Sequence, residues 1–247
     1  MDLGITDRQA LVCGGSRGLG YACAKALARE GVRVTLVARD GAALEQAASR
    51  MVQEIGHRPA IVRADVSTPL GREAALARLP DPDILVTNAG GPPSKDFREL
   101  SAQDWAAALD TNFLSAVELI RATIDGMISR GFGRIVNITS MTVRMPVERL
   151  DLSTSTRLAL TGYVAGVARE VARHNVTINN LLPGTIMTER IQALGALAEK
   201  LIAKVPAGRA GEPDEFGAAC AFLCGTQAAF ITGQNLLLDG GLVPLTV

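Results

Sequence analysis

The sequence predicts a single doubly wound α/β domain, with a parallel sheet of about seven strands covered by helices on both faces. Short apolar, β-branched segments alternate along the chain with longer segments of helical periodicity. The strand segments are apolar almost without interruption, which is typical of parallel strands buried on both sides. No linker, repeat or low-complexity stretch divides the 247 residues, so we expect one domain over 1–247.

The first half of the chain contains four strand segments. QALVCG (9–14) predicts the first strand, because its apolar run ends in glycines, and GLGYACAKALAREG predicts the helix that follows. VRVTLVA (32–38) is β-branched and predicts a buried strand, followed by the helix GAALEQAASRMVQEIG. AIVRADV and DILVTNAG repeat the strand pattern on either side of a short helix.

The second half continues the alternation. SAQDWAAALDTNFLSAVELIRATIDGMISRG predicts one long helix, with Ser101 as N-cap and Asp104 in the capping-box position. The strand GRIVNITS, a helix from about Ser153 to Arg173, and the strand VTINNLLPG follow. Helical pieces up to CAFLCG and the strand NLLLDGG complete the pattern.

Composition argues against several classes of partner. The 25 basic and 25 acidic residues balance, so no polyanion or acidic membrane surface is indicated. No apolar run approaches the roughly 20 residues that span a membrane, and MDLGITDRQALV lacks the basic start of a signal peptide. We therefore expect no nucleic-acid or membrane partner and a cytoplasmic location.

The four cysteines form no CxxC pair. Cys220 and Cys224 lie one helical turn apart and can in principle hold a metal, but no further ligands gather near them. The favoured interpretation is that Cys13, Cys23, Cys220 and Cys224 are small buried residues of a reducing compartment, with no metal site.

The loop CGGSRGLG follows the first predicted strand, where a doubly wound sheet binds ligands. Gly14, Gly18 and Gly20 let the backbone turn sharply and approach a pyrophosphate at a helix N-terminus. The spacing is GxxxGxG rather than GxGxxG, and glycines that merely form a tight turn are the alternative.

The same loop also matches a hydrolase motif. GGSRG (14–18) has the G-x-S-x-G pattern of a nucleophile elbow, but a hydrolase needs a downstream histidine, and His174 is the only plausible one. His174 follows a long helix and enters a strand, where a solvated or capping role is more usual. That interpretation also leaves Gly20 and TNAG unexplained.

Four further segments follow in fixed order: TNAG (87–90), TNF (111–113), NITS (137–140) and PGTIMT (183–188). With GGSRGLG they resemble the short-chain dehydrogenase/reductase family along essentially the whole chain. The nearest resemblance is to the 3-oxoacyl-[acyl-carrier-protein] reductase-like branch, through PAGRAGEPDEF (206–216) and ITGQNLLLDGG. The resemblance implies a Rossmann fold and hydride transfer between a nicotinamide cofactor and a carbonyl or alcohol.

The resemblance also implies the cofactor-binding residues. Asp65 would accept a hydrogen bond from the adenine, and Thr188 would bind the nicotinamide carboxamide, although Pro183–Gly184 alone would also suit a simple turn. The phosphates would be bound by Gly14, Ser16, Arg17, Gly18, Leu19 and Gly20, and the adenine by Asp65 and Val66. The ribose would be bound by Asn88, Ala89 and Gly90, and the nicotinamide by Pro183, Gly184, Ile186 and Thr188.

Charge at the end of the second strand favours NADP(H) over NAD(H). NAD enzymes place a carboxylate there for the ribose 2′-hydroxyl, whereas this chain has Ala38 followed by Arg39. Arg39 and Arg17 can pair with a 2′-phosphate. Asp40 can neutralise Arg39, and a merely solvated Arg39 is the alternative.

The family performs its proton chemistry with an Asn, a Ser, a Tyr and a Lys. Asn112 and Ser140 match the first two positions, but counting from Ser140 places Ser153 at the tyrosine and Arg157 at the lysine. The match continues through VAREVARHNVTINNLLPG without a gap, so misalignment does not account for the missing pair. Ser153 and Arg157 lie one helical turn apart, so they share one face of the helix and point into the same site.

The substitution weakens the expected proton donor. A serine hydroxyl is far less acidic than a phenol and reaches about 4 Å less far. Arg157 can donate to the ribose hydroxyls of the cofactor but is a poor proton relay. Tyr21 lies on the first helix, and Tyr163 is about 15 Å along the helix from Ser153 and roughly 80° off its face.

Three functions are consistent with this pattern. The favoured one is an NADP-dependent oxidoreductase with an atypical proton donor, such as a water bound to Ser153 or a substrate group. The second is a non-catalytic NADP-binding sensor or partner subunit. The third is a lyase or isomerase with a tightly held cofactor, which would turn over without net oxidation of NADPH.

The substrate itself is not named by the sequence, beyond a small carbonyl, alcohol or acyl thioester. Residues 188–208 predict a substrate lid, in which Lys200 and Lys204 either meet a carrier phosphate or solvate a helix face. Lys95 is the spare amine near the site mouth and is interpreted as a surface lysine.

The resemblance further implies a homotetramer, formed through the helices near Ser101 and Ser153 and the last strand. Small residues on the helix after Ser153 suit close packing against a second subunit, although packing on their own sheet is the alternative. They are Ala159, Gly162, Ala165 and Gly166.

Overall fold

The computed structural model describes residues 2–244. Within them, a parallel seven-stranded sheet has the order β3-β2-β1-β4-β5-β6-β7. The strand order reverses between β1 and β4, which confirms the predicted doubly wound arrangement. The strands are β1 Gln9–Cys13, β2 Arg33–Ala38, β3 Ala60–Arg63, β4 Ile84–Thr87, β5 Gly133–Ile138, β6 Val176–Pro183 and β7 Asn235–Leu238.

Helices cover both faces of this sheet. Alternate residues of β1 show the division, since Val12 belongs to one buried cluster and Leu11 to the other. Helices α1, α2 and α9 pack on the Val12 face, and α3, α5 and α6 on the Leu11 face. The helices are α1 Gly18–Arg29, α2 Gly41–Ile55, α3 Pro69–Arg78, α4 Ala102–Leu109, α5 Ser115–Arg130, α6 Asp151–Val171, α7 Glu189–Gln192, α8 Ala196–Ile202 and α9 Pro213–Cys224.

The predicted long helix starts as expected but is not uniform. The Oγ atom of Ser101 accepts from the Asp104 amide at 3.1 Å, and the Asp104 carboxylate accepts from the Ser101 amide at 3.0 Å, which confirms the capping box. Between α4 and α5, however, Asp110–Leu114 forms a π-helical turn. Such turns are frequent at functional sites, and this one contains Asn112.

Two predicted boundaries are wrong by a few residues. The third strand ends at Arg63, because Asp65 starts a turn in which its Oδ1 accepts from the Ser67 amide at 3.0 Å. Asp65 and Val66 therefore lie in the loop after β3. The helix predicted from about Ser153 begins at Asp151, two residues earlier.

Helices α1 and α9, which are far apart in the sequence, cross in close contact. A Cβ on Gly217 of α9 would lie 2.4 Å from the carbonyl oxygen of Ala22 on α1, so only glycine permits this approach. Cys23, Cys220 and Cys224 are buried beside the crossing, and burial raises the pKa of the Cys13 thiol to about 12. The prediction of small, buried cysteines is confirmed.

No helix in residues 2–244 has the length and apolar character needed to cross a bilayer.

Candidate active site

The loops after β1, β4 and β6 contact one another at the carboxyl edge of the sheet. A Cβ on Gly14 would meet the Asn88 side chain at 2.5 Å, and one on Gly18 would lie 3.8 Å from Cγ2 of Thr188. A Cβ on Gly20 would collide with the Gly14 carbonyl oxygen at 2.2 Å. The structure thus brings together the predicted residues of three separate segments.

The first of these loops fits a phosphate group. Gly14 and Gly18 have φ values of 60° and 57°, which disfavour any other residue. Helix α1 starts at Gly18, and the side chain of its N-cap Arg17 makes no capping hydrogen bond. The amide groups of the first turn, including those of Leu19 and Gly20, are therefore left to bind an anion.

Asp40, which could have neutralised Arg39, does not pair with it in the described chain. Asp40 caps α2 instead, accepting from the Ala42 and Ala43 amides at 2.9 and 3.1 Å. The carboxylate near Arg39 is Asp65, whose Oδ2 lies 4.0 Å from the guanidinium in an exposed pair. An exposed pair at this distance is weak, so Arg39 remains available to a stronger anion.

The turn at Asp65 depends on a glycine that sequence reasoning missed. A Cβ on Gly71, in the first turn of α3, would lie 1.9 Å from the Asp65 carbonyl oxygen. Gly71 therefore lets α3 pack directly on the loop assigned to the adenine. In the sequence, only the presence of a glycine in the first turn of a predicted helix could have indicated this packing.

Asn112 is buried in the π-helical turn with its amide unpaired. It is 5% exposed, and neither Nδ2 nor Oδ1 has a hydrogen-bond partner within the described chain. The Ser115 hydroxyl donates to the Thr111 carbonyl at 2.6 Å on the same turn. A buried amide without partners is costly, so its retention indicates a role with a ligand or water.

Arg157 links the helix of Ser153 to the end of β5. Both residues are 8% exposed, and Arg157 Nε donates to Ser153 Oγ at 3.2 Å. Arg157 Nη1 donates to the carbonyls of Ile138 and Thr139 at 2.9 and 3.0 Å. Three of its five N–H groups are therefore held by the protein, which leaves Nη2 for the predicted contact with a ribose.

The surroundings of Arg157 set its charge. Burial, and secondly the nearby positive charge of Arg190, lowers the pKa of Arg157 to about 10. Arg157 therefore remains a cation at neutral pH. Because Ser153 Oγ accepts from this cation, the Ser153 hydroxyl proton is directed to another acceptor.

A cavity of about 10 Å³ lies behind Arg157, close to the smallest space that holds one water molecule. Arg157 and the unpaired amide of Asn112 both line it. Its other lining residues are Thr87, Asn88, Ala89, Thr111, Ser115, Ala116, Ile138 and Leu160. Arg157, which is hydrogen-bonded to Ser153, and the unpaired Asn112 therefore face one small cavity.

The remaining polar candidates have other partners. The Ser140 hydroxyl accepts from the Thr142 amide at 3.2 Å and caps a short 3₁₀ turn at the end of β5. Tyr21 donates to Glu54 at 3.4 Å, and Tyr163 packs edge-on against Phe113. Neither tyrosine therefore takes the place of the phenol that the family resemblance predicts at position 153.

Lys95, interpreted from the sequence as a surface lysine, is partly exposed and forms an ion pair, so it is not a spare amine. Its Nζ lies 2.8 Å from the Asp104 carboxylate, and this contact holds the pKa of Asp104 well below its usual range. The pair fastens the loop after β4 to the start of α4.

The segment after β6 crosses the mouth of the site. A Cβ on Gly184 would lie 2.6 Å from Cβ of Asp239, so Gly184 serves packing against the C-terminal loop as well as the turn. Ile186 bridges to Gly211, which anchors both ends of the predicted lid. On α7, Nη1 of Arg190 lies 2.9 Å from the position of a Cβ on Gly91. Arg190 was missed, because a single arginine in a lid has no distinguishing pattern.

Comparison with known proteins identifies the family. The sequence profile described as enoyl-(acyl carrier protein) reductase matches residues 14–243, nearly the whole chain. The chain belongs to the short-chain dehydrogenase/reductase family. The 3-oxoacyl-[acyl-carrier-protein] reductase of Vibrio cholerae is 34% identical over 97% of this chain and 99% of its own length.

Other members of the family differ in substrate. The gluconate 5-dehydrogenase of Gluconobacter oxydans is 35% identical over 96% of this chain and 95% of its own. The L-sorbose reductase of Gluconobacter frateurii, solved with NADPH and L-sorbose, superposes with a TM-score of 0.91 at 29% identity, covering 99% and 100% of the two chains. Family membership therefore makes this chain an oxidoreductase and leaves its substrate open.

Proposed function

We propose that this protein is an NADP-dependent, 3-oxoacyl reductase-like oxidoreductase that transfers a hydride between nicotinamide and a carbonyl or alcohol. Its proton donor is atypical, because Ser153 and Arg157 stand where the family has tyrosine and lysine. The observation that carries the proposal is the glycine loop after β1, whose first-turn amides have no capping side chain and which lies against Asn88 and Thr188.

The chain's own residues fit the cofactor. The glycines of residues 14–20 leave room for a pyrophosphate, and Arg39 has only a weak, exposed carboxylate neighbour. A 2′-phosphate offers Arg39 a doubly charged partner and the chance of bidentate contact, which an NAD ribose lacks. Thr188, across from Gly18, would meet the nicotinamide. The L-sorbose reductase with its bound NADPH agrees with this preference.

Bound NADPH would supply a hydride to the carbonyl carbon and become NADP⁺, while one proton must reach the carbonyl oxygen. Ser140 and Ser153 would polarise that oxygen by donating hydrogen bonds. The positive charge of Arg157 would stabilise the negative charge that develops on the carbonyl oxygen beside Ser153. The proton would come from a water held by Ser153, because serine itself is too weak an acid.

A non-catalytic NADP-binding protein is the second candidate. The observation in its favour is that Ser153 Oγ is buried and occupied by Arg157, with no group of suitable acidity beside it. The two candidates differ in turnover and not in cofactor binding.

The test combines binding and turnover. Fluorescence titration should show tighter binding of NADPH than of NADH, and a panel of activated ketones should then be reduced with equimolar oxidation of NADPH. Equal affinity for the two cofactors would refute the NADP preference. Tight NADPH binding with no reduction across the panel would refute the oxidoreductase and favour the second candidate.

We also propose a homotetramer. The small residues Ala159, Gly162, Ala165 and Gly166 all face solvent in the single chain, so packing on their own sheet is the wrong interpretation. Leu158 beside them is 46% exposed. Light scattering at micromolar concentration should give four times the chain mass, and a mass of 25.9 kDa would refute the assembly.

A further inference from the structure

We propose that Arg190 binds a carboxylate of the substrate, so that the protein acts on anionic carbonyl compounds such as oxo acids. This inference rests on the proposed function, since it concerns the substrate of the same site. It follows from the position of Arg190, from its lack of an acidic partner in the described chain, and from the positive charge of Arg157 nearby.

The Arg190 side chain reaches across the mouth of the site. It starts from α7, after β6, and its guanidinium lies over Gly91, in the loop after β4. A Cβ on Gly91 would stand 2.9 Å from Nη1, so the glycine leaves space for the guanidinium. Arg190 is exposed, and its charge is therefore accessible to a ligand entering the cleft.

Arg190 has no acidic partner in the described chain. No carboxylate of residues 2–244 lies within 4.0 Å of it, whereas the exposed Arg58 and Arg209 are each paired at 2.7 Å. The guanidinium also makes no hydrogen bond within those residues. An unpaired arginine at a site mouth is well suited to bind a carboxylate through two parallel hydrogen bonds.

A second positive charge near Arg190 reinforces its preference for an anion. Arg157 is a second buried cation without a carboxylate partner among residues 2–244, and the two positive charges repel each other. Asn112, which lines the same cavity as Arg157, has an unpaired Nδ2 donor. An anion placed under Arg190 relieves this repulsion, whereas a neutral ligand leaves it unchanged.

The cofactor phosphates have other places to bind. Under the proposed function, the pyrophosphate would bind the first turn of α1, and a 2′-phosphate would bind Arg39 just after β2. Arg190 lies instead over the loop that continues beyond the ribose wall of Asn88–Gly90. We therefore assign its charge to the substrate rather than to the cofactor.

The test compares a charged ligand with its neutral counterpart. Acetoacetate and methyl acetoacetate share the same ketone, and calorimetric titration of each into NADP⁺-saturated protein measures binding without turnover. Arg190→Gln should weaken acetoacetate binding about tenfold to a hundredfold, the usual worth of a hydrogen bond to a charged group, and leave the ester unaffected. The control is Arg173→Gln, which removes an exposed arginine just before β6, at the amino ends of the strands. This change should alter the affinity for neither acetoacetate nor its ester.

Each other outcome overturns the assignment. Unchanged acetoacetate binding, or an equal loss for acid and ester, would exclude a carboxylate contact. A loss of NADPH affinity in Arg190→Gln would assign the arginine to the cofactor. The titrations do not depend on turnover, so failure of the ketone panel would refute the proposed function without deciding the role of Arg190, and absence of acetoacetate binding to the wild-type protein would overturn the assignment.

Discussion

Introducing the tyrosine and lysine that the family resemblance predicts at positions 153 and 157 tests whether only the proton donor separates this protein from an active ketone reductase. The change is Ser153→Tyr with Arg157→Lys. Ser153 is buried against Arg157, whose Nε lies 3.2 Å from its Oγ, so we expect the phenol ring to turn away from this contact and into the cofactor cleft, where a donor is needed. A positioned general acid is worth about 10²–10⁴ in rate, or about 3–5 kcal/mol of activation free energy.

The same change has a cost in stability. Lysine cannot reproduce the paired bonds of Arg157 to Ile138 and Thr139, at 2.9 and 3.0 Å. At about 1 kcal/mol for each bond, the free energy of unfolding falls by about 2 kcal/mol and the Tm by about 4–8 °C. Ser153→Tyr alone should keep those bonds but gain less rate, because arginine tunes the phenol less than an ammonium does.

The assay follows NADPH oxidation with an activated ketone, beside thermal unfolding and NADPH titration. The matched control is Ser153→Phe with Arg157→Lys, which adds the ring without the hydroxyl and should gain no rate. If the tyrosine variant folds and binds NADPH but shows no gain over this control, the missing-acid explanation is refuted. The non-redox alternatives would then be favoured.

Three further outcomes are expected. Arg39→Asp should shift the ratio of NADPH to NADH affinity toward NADH by about 1.5–3 kcal/mol, and an unchanged ratio in fluorescence titrations would make Arg39 a solvated charge. Gly71→Ala should displace the loop at Asp65, 1.9 Å from the new Cβ, and lower the Tm and the NADPH affinity together; a loss of neither would refute this packing. The hydrogen bond from Arg209 lowers the pKa of Glu215 from 4.5 to about 2, so the carboxylate stabilises the fold above pH 4.5 and less as the pH falls toward 2. Arg209→Gln should therefore lower the Tm at neutral pH and not near pH 2, and an equal difference at both would exclude the linkage.

The sequence predicted the sheet well, because parallel strands buried on both faces leave an apolar signal that local reasoning detects. The sharp turn of the loop after β1 was also predictable, since the left-handed backbone at Gly14 and Gly18 requires glycine. The π-helical turn around Asn112 was not, because its residues have the same apolar periodicity as the helix on either side. Arg190 was missed for a different reason: its meaning depends on Gly91, about a hundred residues away.

The contact of α9 with α1 through Gly217 has a consequence for how the chain folds. Helix α1, whose first turn would hold the cofactor phosphates, packs on a helix that is synthesised much later in the chain. A nascent chain lacking α9 would expose the part of α1 around Ala22 and Cys23 to water. The nucleotide loop thus waits for a distant helix to complete its support, and contacts of such long sequence separation slow folding.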